Sequence, residues 1–260
     1  MKTALISVGR QLGINNIYSL TKPLIPGKIR NWISENPSLP VVPADDLKQQ
    51  LQKACKHLAS TIGSSAVGDY LEFGVFHGVS LLCMHEVLRE QEFHQTRLFG
   101  FDSFERRTQV VAVDNKGAGL PVEFVSEYES TCMNLTKHKV DWNKTFLIKG
   151  SYPNTLTPRL MNEYKITKAS IILIDCDFYS TTKEALNFCI PLIKDTSIIV
   201  FDDWSTADDA DNNLDEKLAF NEFLAENPQF KAEEFGRYNY HGFPYGQLFN
   251  VTNTRQQLNS

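Results

Sequence analysis

Two apolar runs in the second half of the chain each end in carboxylates: Ile174-Asp175-Cys176-Asp177 and Phe201-Asp202-Asp203-Trp204. If both runs are strands of one sheet, three or four carboxylates meet at neighbouring strand ends. That crowding is costly unless something positive offsets it. Carboxylate oxygens suit a hard cation, Mg2+ first. The plainer reading, an aspartate capping the following helix, explains Asp175 or Asp203 singly but not the pair of motifs.

A second constellation lies upstream, Glu72-Phe-Gly74-Val-Phe-His77-Gly78-Val-Ser80. Two glycines four apart allow a tight strand-to-helix turn and let a ligand approach the backbone at a helix N-terminus. The third glycine of the dinucleotide fingerprint is missing. Glu72 would repel a pyrophosphate and suit the ammonium of an amino-acid-bearing cofactor. Asp102 follows the turn at close to the ~20-residue separation of an acid that binds ribose hydroxyls. It can also cap the next helix, and the two roles are compatible. Among the six histidines, His77 in the turn and His241 in the aromatic, Gly-rich stretch 238–246 are candidate acid–base groups, as is Asp177. Asp208, Asp209, Asp211 and Asp215 form an acidic loop, but Leu214 and Phe220 stand where a calcium loop needs its glycine and glutamate.

The elements that must position these residues are legible as an alternation after Gly68. Apolar runs predict strands at Tyr70–Val75, Leu98–Phe101, Thr145–Ile148, Ile171–Ile174 and Ile198–Phe201. Amphipathic stretches predict helices at Val79–Glu90, Val122–Lys137, Leu156–Tyr164, Thr182–Ile193 and Leu214–Ala225. Thr181 with Glu184 has capping-box spacing, and Pro191 should end or kink its helix. Two more strands follow, Phe230–Phe235 and Gln247–Val251. The pattern predicts a Rossmann-like α/β domain: a mainly parallel sheet, helices on both faces and an antiparallel C-terminal strand. Ligands bind such sheets at the carboxyl ends of the strands, where these residues fall. Before Gly68, a helix is expected from Ala44 to Ile62, preceded by a proline-broken stretch. Residues 1–67 are therefore read as a helical segment covering the site, and 68–260 as the catalytic domain.

Of the 260 residues 42% are hydrophobic and 22% charged, with a net charge of −5. That balance describes a globular protein and argues against a nucleic-acid partner, which would need a basic face. No run suits a signal-peptide core or a membrane span, so a cytoplasmic protein without a membrane partner is expected. The five cysteines show no CxxC pair and read as reduced, buried thiols.

Taken together, the motifs resemble the macrocin O-methyltransferase family. The resemblance is carried by Glu72-x-Gly74-Val75-x-x-Gly78-x-Ser80, Asp102-Ser103-Phe104-Glu105 and Gly150-Ser-Tyr-x-x-Thr155-Leu156. It continues through Ile174-Asp175-x-Asp177-x-Tyr179-Ser180-x-Thr182 and Val200-Phe201-Asp202-Asp203. It implies an S-adenosylmethionine- and Mg2+-dependent methyltransferase acting on a hydroxyl of a small molecule, a sugar or secondary metabolite, and working as a homodimer. It implies metal ligation by Asp175, Asp202 and Asp203. It also implies cofactor contacts from Glu72, Gly74, Gly78, Ser80, Asp102, Ser103, Ser151 and Asp175. The chain departs from the family pattern at Phe76-His77, Arg106-Arg107-Thr108 and Lys194-Asp195-Thr196. The rival readings are a cephalosporin hydroxylase-like enzyme, an NAD-dependent oxidoreductase on the same topology, and a nucleoside-binding scaffold without catalysis.

Overall fold

A computed structural model describes residues 43–105, 107–112, 119–124, 127–176, 178–204, 215–240 and 243–257. The expected stretch 1–42, Asp177, the acidic loop 205–214 and His241 lie outside the described residues.

The core of the molecule is a seven-stranded sheet in the order β5-β2-β1-β6-β7-β9-β8. Its strands are β1 (Asp69–Phe73), β2 (Leu98–Asp102), β5 (Thr145–Lys149), β6 (Ala169–Ile174), β7 (Thr196–Phe201), β8 (Phe230–Tyr240) and β9 (Phe243–Asn253). The first five are mutually parallel, while β9 runs antiparallel to both β7 and β8. All six residues of β6 and all six of β7 are buried, as parallel strands covered on both faces require. Alternation assigns the faces: Tyr70, Ile171, Leu173, Ile198 and Val200 join one core cluster, and Leu71, Phe73, Ile172, Ile174, Ile199 and Phe201 the other.

The first cluster is closed by α1 (Ala44–Ile62) and α2 (Val79–Glu90), both with the predicted bounds. The buried stripe of α1 is Leu47, Leu51, Ala54, Cys55 and Leu58, the positions the 3.6-residue period selects. So α1, although placed ahead of the catalytic domain by the sequence, packs in the same core as the central strands. The other helices in chain order are α3 (Tyr128–Lys137), α4 (Tyr152–Thr155), α5 (Pro158–Tyr164), α6 (Tyr179–Cys189), α7 (Asp215–Glu226) and α8 (Thr254–Gln257). Both α6 and α7 supply the second cluster through Ala185, Leu186, Phe188, Phe220 and Phe223.

Three expectations need correction. The stretch from Val122 does not begin a helix: β3 (Arg107–Ala112) and β4 (Gly119–Phe124) form a separate antiparallel pair, and the helix starts at Tyr128. Thr181 does not cap α6, whose N-cap is Phe178. Its hydroxyl instead donates to the Phe178 carbonyl at 2.8 Å from within the first turn. The last two strands are each 11 residues long, because pairing between them extends well beyond the short apolar runs. Pro191 behaves as expected: α6 stops at Cys189 and a 3-10 turn, Ile190–Leu192, follows. The five cysteines are free thiols, four of them buried. No helix among the described residues is long and apolar enough to cross a membrane.

Candidate active site

The strand order reverses direction between β1 and β6, and the cleft beyond their carboxyl ends is the place this topology offers a ligand. The ladder continues one residue past each strand there. The Gly74 N–H donates to Phe101 O, Asp175 N–H to Phe73 O, Asp202 N–H to Ile174 O and Gly150 N–H to Asp102 O, at 2.9–3.1 Å. Gly74, Asp175, Asp202 and Gly150 therefore stand in one row along the sheet edge. Gly74 has φ +92°, and a β-carbon on it would lie 1.9 Å from the Asp175 carbonyl oxygen. The first glycine of the turn is what lets the two central strand ends approach.

Asp102 organises the turn itself. Its Oδ2 accepts the N–H groups of Val75 and Phe76, and its Oδ1 that of Phe104, each at 2.9 Å. Phe76 and Phe104 sit at φ 49° and 50°, a left-handed conformation that costs about 1–3 kcal/mol at a non-glycine residue. Charge-assisted bonds to one carboxylate offset that cost. The turn is also held from α3: Thr131 Oγ1 donates to Phe76 O at 2.6 Å and Asn134 Nδ2 to His77 O at 2.8 Å. Gly78 caps α2 in the left-handed region. The His77 ring packs against that of Phe76, tilted by 51° with centroids 4.0 Å apart. Ser103 is buried next to Asp102, and Ser151 is exposed at the start of α4, its Oγ accepting from Asn154 Nδ2 at 2.9 Å.

Glu72 lies within β1, not in the turn, and is fully buried. Tyr70 Oη donates to its Oε2 at 2.5 Å and Ser80 Oγ to its Oε1 at 2.7 Å. Two of the predicted cofactor contacts thus bond each other inside the layer between β1 and α2. Burial pushes the Glu72 carboxyl up to about 8 despite the two hydrogen bonds, with the Asp202 and Asp102 charges adding to the rise. The folded state therefore holds a proton on Glu72 that the unfolded chain releases above the ordinary value of 4.5. Stability from this group falls as pH rises from about 4.5 to about 8. Glu72→Gln is expected to remove that dependence and to exceed the wild-type stability at pH 8.5 by on the order of 3 kcal/mol. Denaturant titrations of the two ligand-free proteins across pH 5–9 check this; parallel curves would refute it.

On the other side of the cleft, Asp202 is buried and its Oδ1 accepts the Tyr238 hydroxyl. Burial raises its carboxyl to about 6, against the lowering effect of that bond. Tyr245 makes a side-chain hydrogen bond with Asp203. Its phenol is pushed well above 10 by burial first, and then by the charges of Asp203, Asp202 and Asp175. Asp175 follows the last residue of β6, and Asp202 and Asp203 follow that of β7, as the sequence predicts. Among the described residues, however, no group of three or more His, Cys, Asp or Glu side chains stands ready to hold a metal ion. The strand ends bring the aspartate backbones together, while tyrosines from β8 and β9 engage two of the carboxylates. Neither tyrosine was singled out by sequence reasoning. The signal available was the repetition of Tyr and Gly through 238–246, which acquires meaning only from the hairpin register.

No match was found among curated proteins by sequence comparison. Similar solved structures include the O-methyltransferase NovP, at 19% identity and TM-score 0.59 over 79% of both chains. The calicheamicin methyltransferase CalS11 is 21% identical, with TM-score 0.58 over 93% of this chain and 90% of that one. An O-methyltransferase from Bacillus cereus in complex with SAH is 15% identical, with TM-score 0.53 over 90% and 94%. These likenesses carry the fold. The sequence model of the macrocin O-methyltransferase (TylF) family matches residues 42–225, the span that contains the glycine turn, Asp102 and both acidic strand ends. The chain belongs to the TylF macrocin O-methyltransferase family and is an S-adenosylmethionine-dependent methyltransferase.

Proposed function

We propose that the enzyme transfers the methyl group of S-adenosylmethionine to a hydroxyl of a sugar or sugar-bearing secondary metabolite, with Mg2+ held by Asp175, Asp202 and Asp203. The observation that carries this reading is the single row of strand ends that sets the glycine turn against Asp175 and Asp202. It is supported by the family match and by the likeness to CalS11, a TDP-rhamnose 3'-O-methyltransferase of calicheamicin biosynthesis. The cofactor would lie across the turn from Gly74 to Gly78, its ribose toward Asp102 and Ser103 and its adenine near Ser151. Asp102 Oδ1 carries one N–H bond, and a carboxylate oxygen offers about two lone-pair sites, which leaves one for a ribose hydroxyl. A bound divalent cation would supply a Lewis acid that orients neighbouring acceptor oxygens and lowers a hydroxyl pKa. The chain's own residues would set the acceptor in line with the methyl, and Asp177, His77 or His241 would take its proton.

The test is transfer of labelled methyl from S-adenosylmethionine to a panel of nucleotide-linked and glycoside sugars in the presence of Mg2+. Appearance of O-methyl products is expected. Methylation of amines alone would overturn the reading.

Asp102→Ala should weaken S-adenosylmethionine binding by roughly 2–3 kcal/mol, since it removes a charged acceptor and releases the turn. Titration calorimetry on the folded variant reads this directly, and an unchanged affinity would refute the placement of the ribose.

A further inference from the structure

The two left-handed aromatic residues of the site, Phe76 and Phe104, are each held twice. Asp102, at the end of β2, takes the N–H of both. Both also meet α3. Thr131 Oγ1 donates to the Phe76 carbonyl at 2.6 Å, and Asn134 Nδ2 to the next carbonyl, His77 O, at 2.8 Å. The Tyr128 ring stands edge-on to that of Phe104, with centroids 5.2 Å apart. Phe76 is therefore bonded through its N–H to β2 and through its C=O to α3. Gly78 makes room for this contact: a β-carbon on it would lie 2.9 Å from Leu135 Cδ2 and 3.5 Å from Thr131 Cγ2. Tyr128, Thr131 and Leu135 recur at the spacing that puts them on one face of the helix. Thr131 is fully buried. A valine would fill its volume, so the hydroxyl serves the bond to the turn. None of the residues expected to touch the cofactor lies on α3.

We propose that α3 braces the cofactor turn, and that Thr131 and Asn134 are positioning residues for S-adenosylmethionine. They fix the Phe76 and His77 carbonyls and so keep the turn in its left-handed form before the cofactor arrives. This rests on the placement of the cofactor across Gly74–Gly78 and extends it to a residue 55 positions from Phe76. A loop already held in its bound conformation spares the binding step the cost of ordering it.

The test is S-adenosylmethionine titration calorimetry on the full chain, with thermal unfolding measured alongside. Thr131→Val should bind about 3–10-fold more weakly, the effect of one lost hydrogen bond. The strain at residue 76 supplies the readout that separates positioning from general destabilisation. Asparagine tolerates the left-handed region better than phenylalanine, so in a Phe76→Asn background the loss from Thr131→Val should shrink to within about twofold. A merely structural Thr131 would lower the unfolding temperature, and any effect on affinity would be blind to residue 76. A loss that persists in full on Phe76→Asn would therefore overturn the proposal. So would wild-type affinity in Thr131→Val beside a loss in Asp102→Ala, which would spare the placement of the cofactor. Wild-type affinity in Asp102→Ala would overturn both. Should Thr131→Val fail to fold, Asn134→Ala removes the neighbouring bond from a partly exposed residue, and undiminished affinity there would overturn the proposal.

Discussion

Stripping divalent cations with EDTA is expected to lower methyl transfer by at least ~10³-fold, the scale of the several kcal/mol a bound Lewis acid contributes at the transition state. Readdition of Mg2+ should restore it. Cofactor binding, which the glycine turn and Asp102 would provide, should survive the treatment in calorimetry. Asp175→Asn should reproduce the loss with Mg2+ present, because an amide oxygen is a poorer, uncharged ligand. The basis is the placement of Asp175 and Asp202 one residue past paired strands, with the Asp202 N–H on Ile174 O at 3.1 Å. It is strengthened by the buried Asp202 carboxyl, whose charged form burial disfavours and the hydrogen bond from Tyr238 favours. Undiminished turnover after exhaustive chelation would end the metal reading and leave the cofactor site standing.

Gly74→Ala is expected to cost more than about 3 kcal/mol of stability, or to abolish measurable cofactor binding, because two effects add. The residue has φ +92°, where an L side chain is strained, and its β-carbon would sit 1.9 Å from a backbone oxygen and 2.8 Å from a backbone carbon of Asp175. Those atoms stand one residue past the fully buried β6, on backbone tied to β1 by the Asp175 N–H bond to Phe73 O, and cannot swing aside as a flexible side chain can, so β1 and β6 would have to separate at their carboxyl ends. Gly63 separates the two contributions: it has φ +84° but nothing within 4 Å of a β-carbon. Gly63→Ala should therefore show backbone strain alone. Denaturant unfolding and cofactor titration of both variants decide the matter. A Gly74→Ala protein no worse than Gly63→Ala would show that the close approach is not needed.

The sequence by itself determined the central strands, the two helices that flank the glycine turn, and the topological edge at which the acidic residues stand. Those features depend on local periodicity: continuous apolar runs for strands buried on both faces, a 3.6-residue stripe for α1, and glycines where the chain must turn. That Asp175, Asp202 and Asp203 sit just past strands was readable because a strand end is marked by where the apolar run stops. The tertiary structure alone decided which groups those carboxylates meet. Tyr238 and Tyr245 reach Asp202 and Asp203 through the register of a hairpin, and register is a property of pairing between segments. The burial of Glu72, with the consequent rise of its carboxyl to about 8, follows from α1 and α2 closing over one face of β1. The β3–β4 pair escaped notice because the apolar pattern of its second strand runs on toward α3, and short apolar runs suit helix and strand alike. Asp102 was recognisable as a strand-end acid. Its grip on the N–H groups of Val75 and Phe76 was not, because bonds between residues 27 and 26 positions apart arise only when the sheet brings them together.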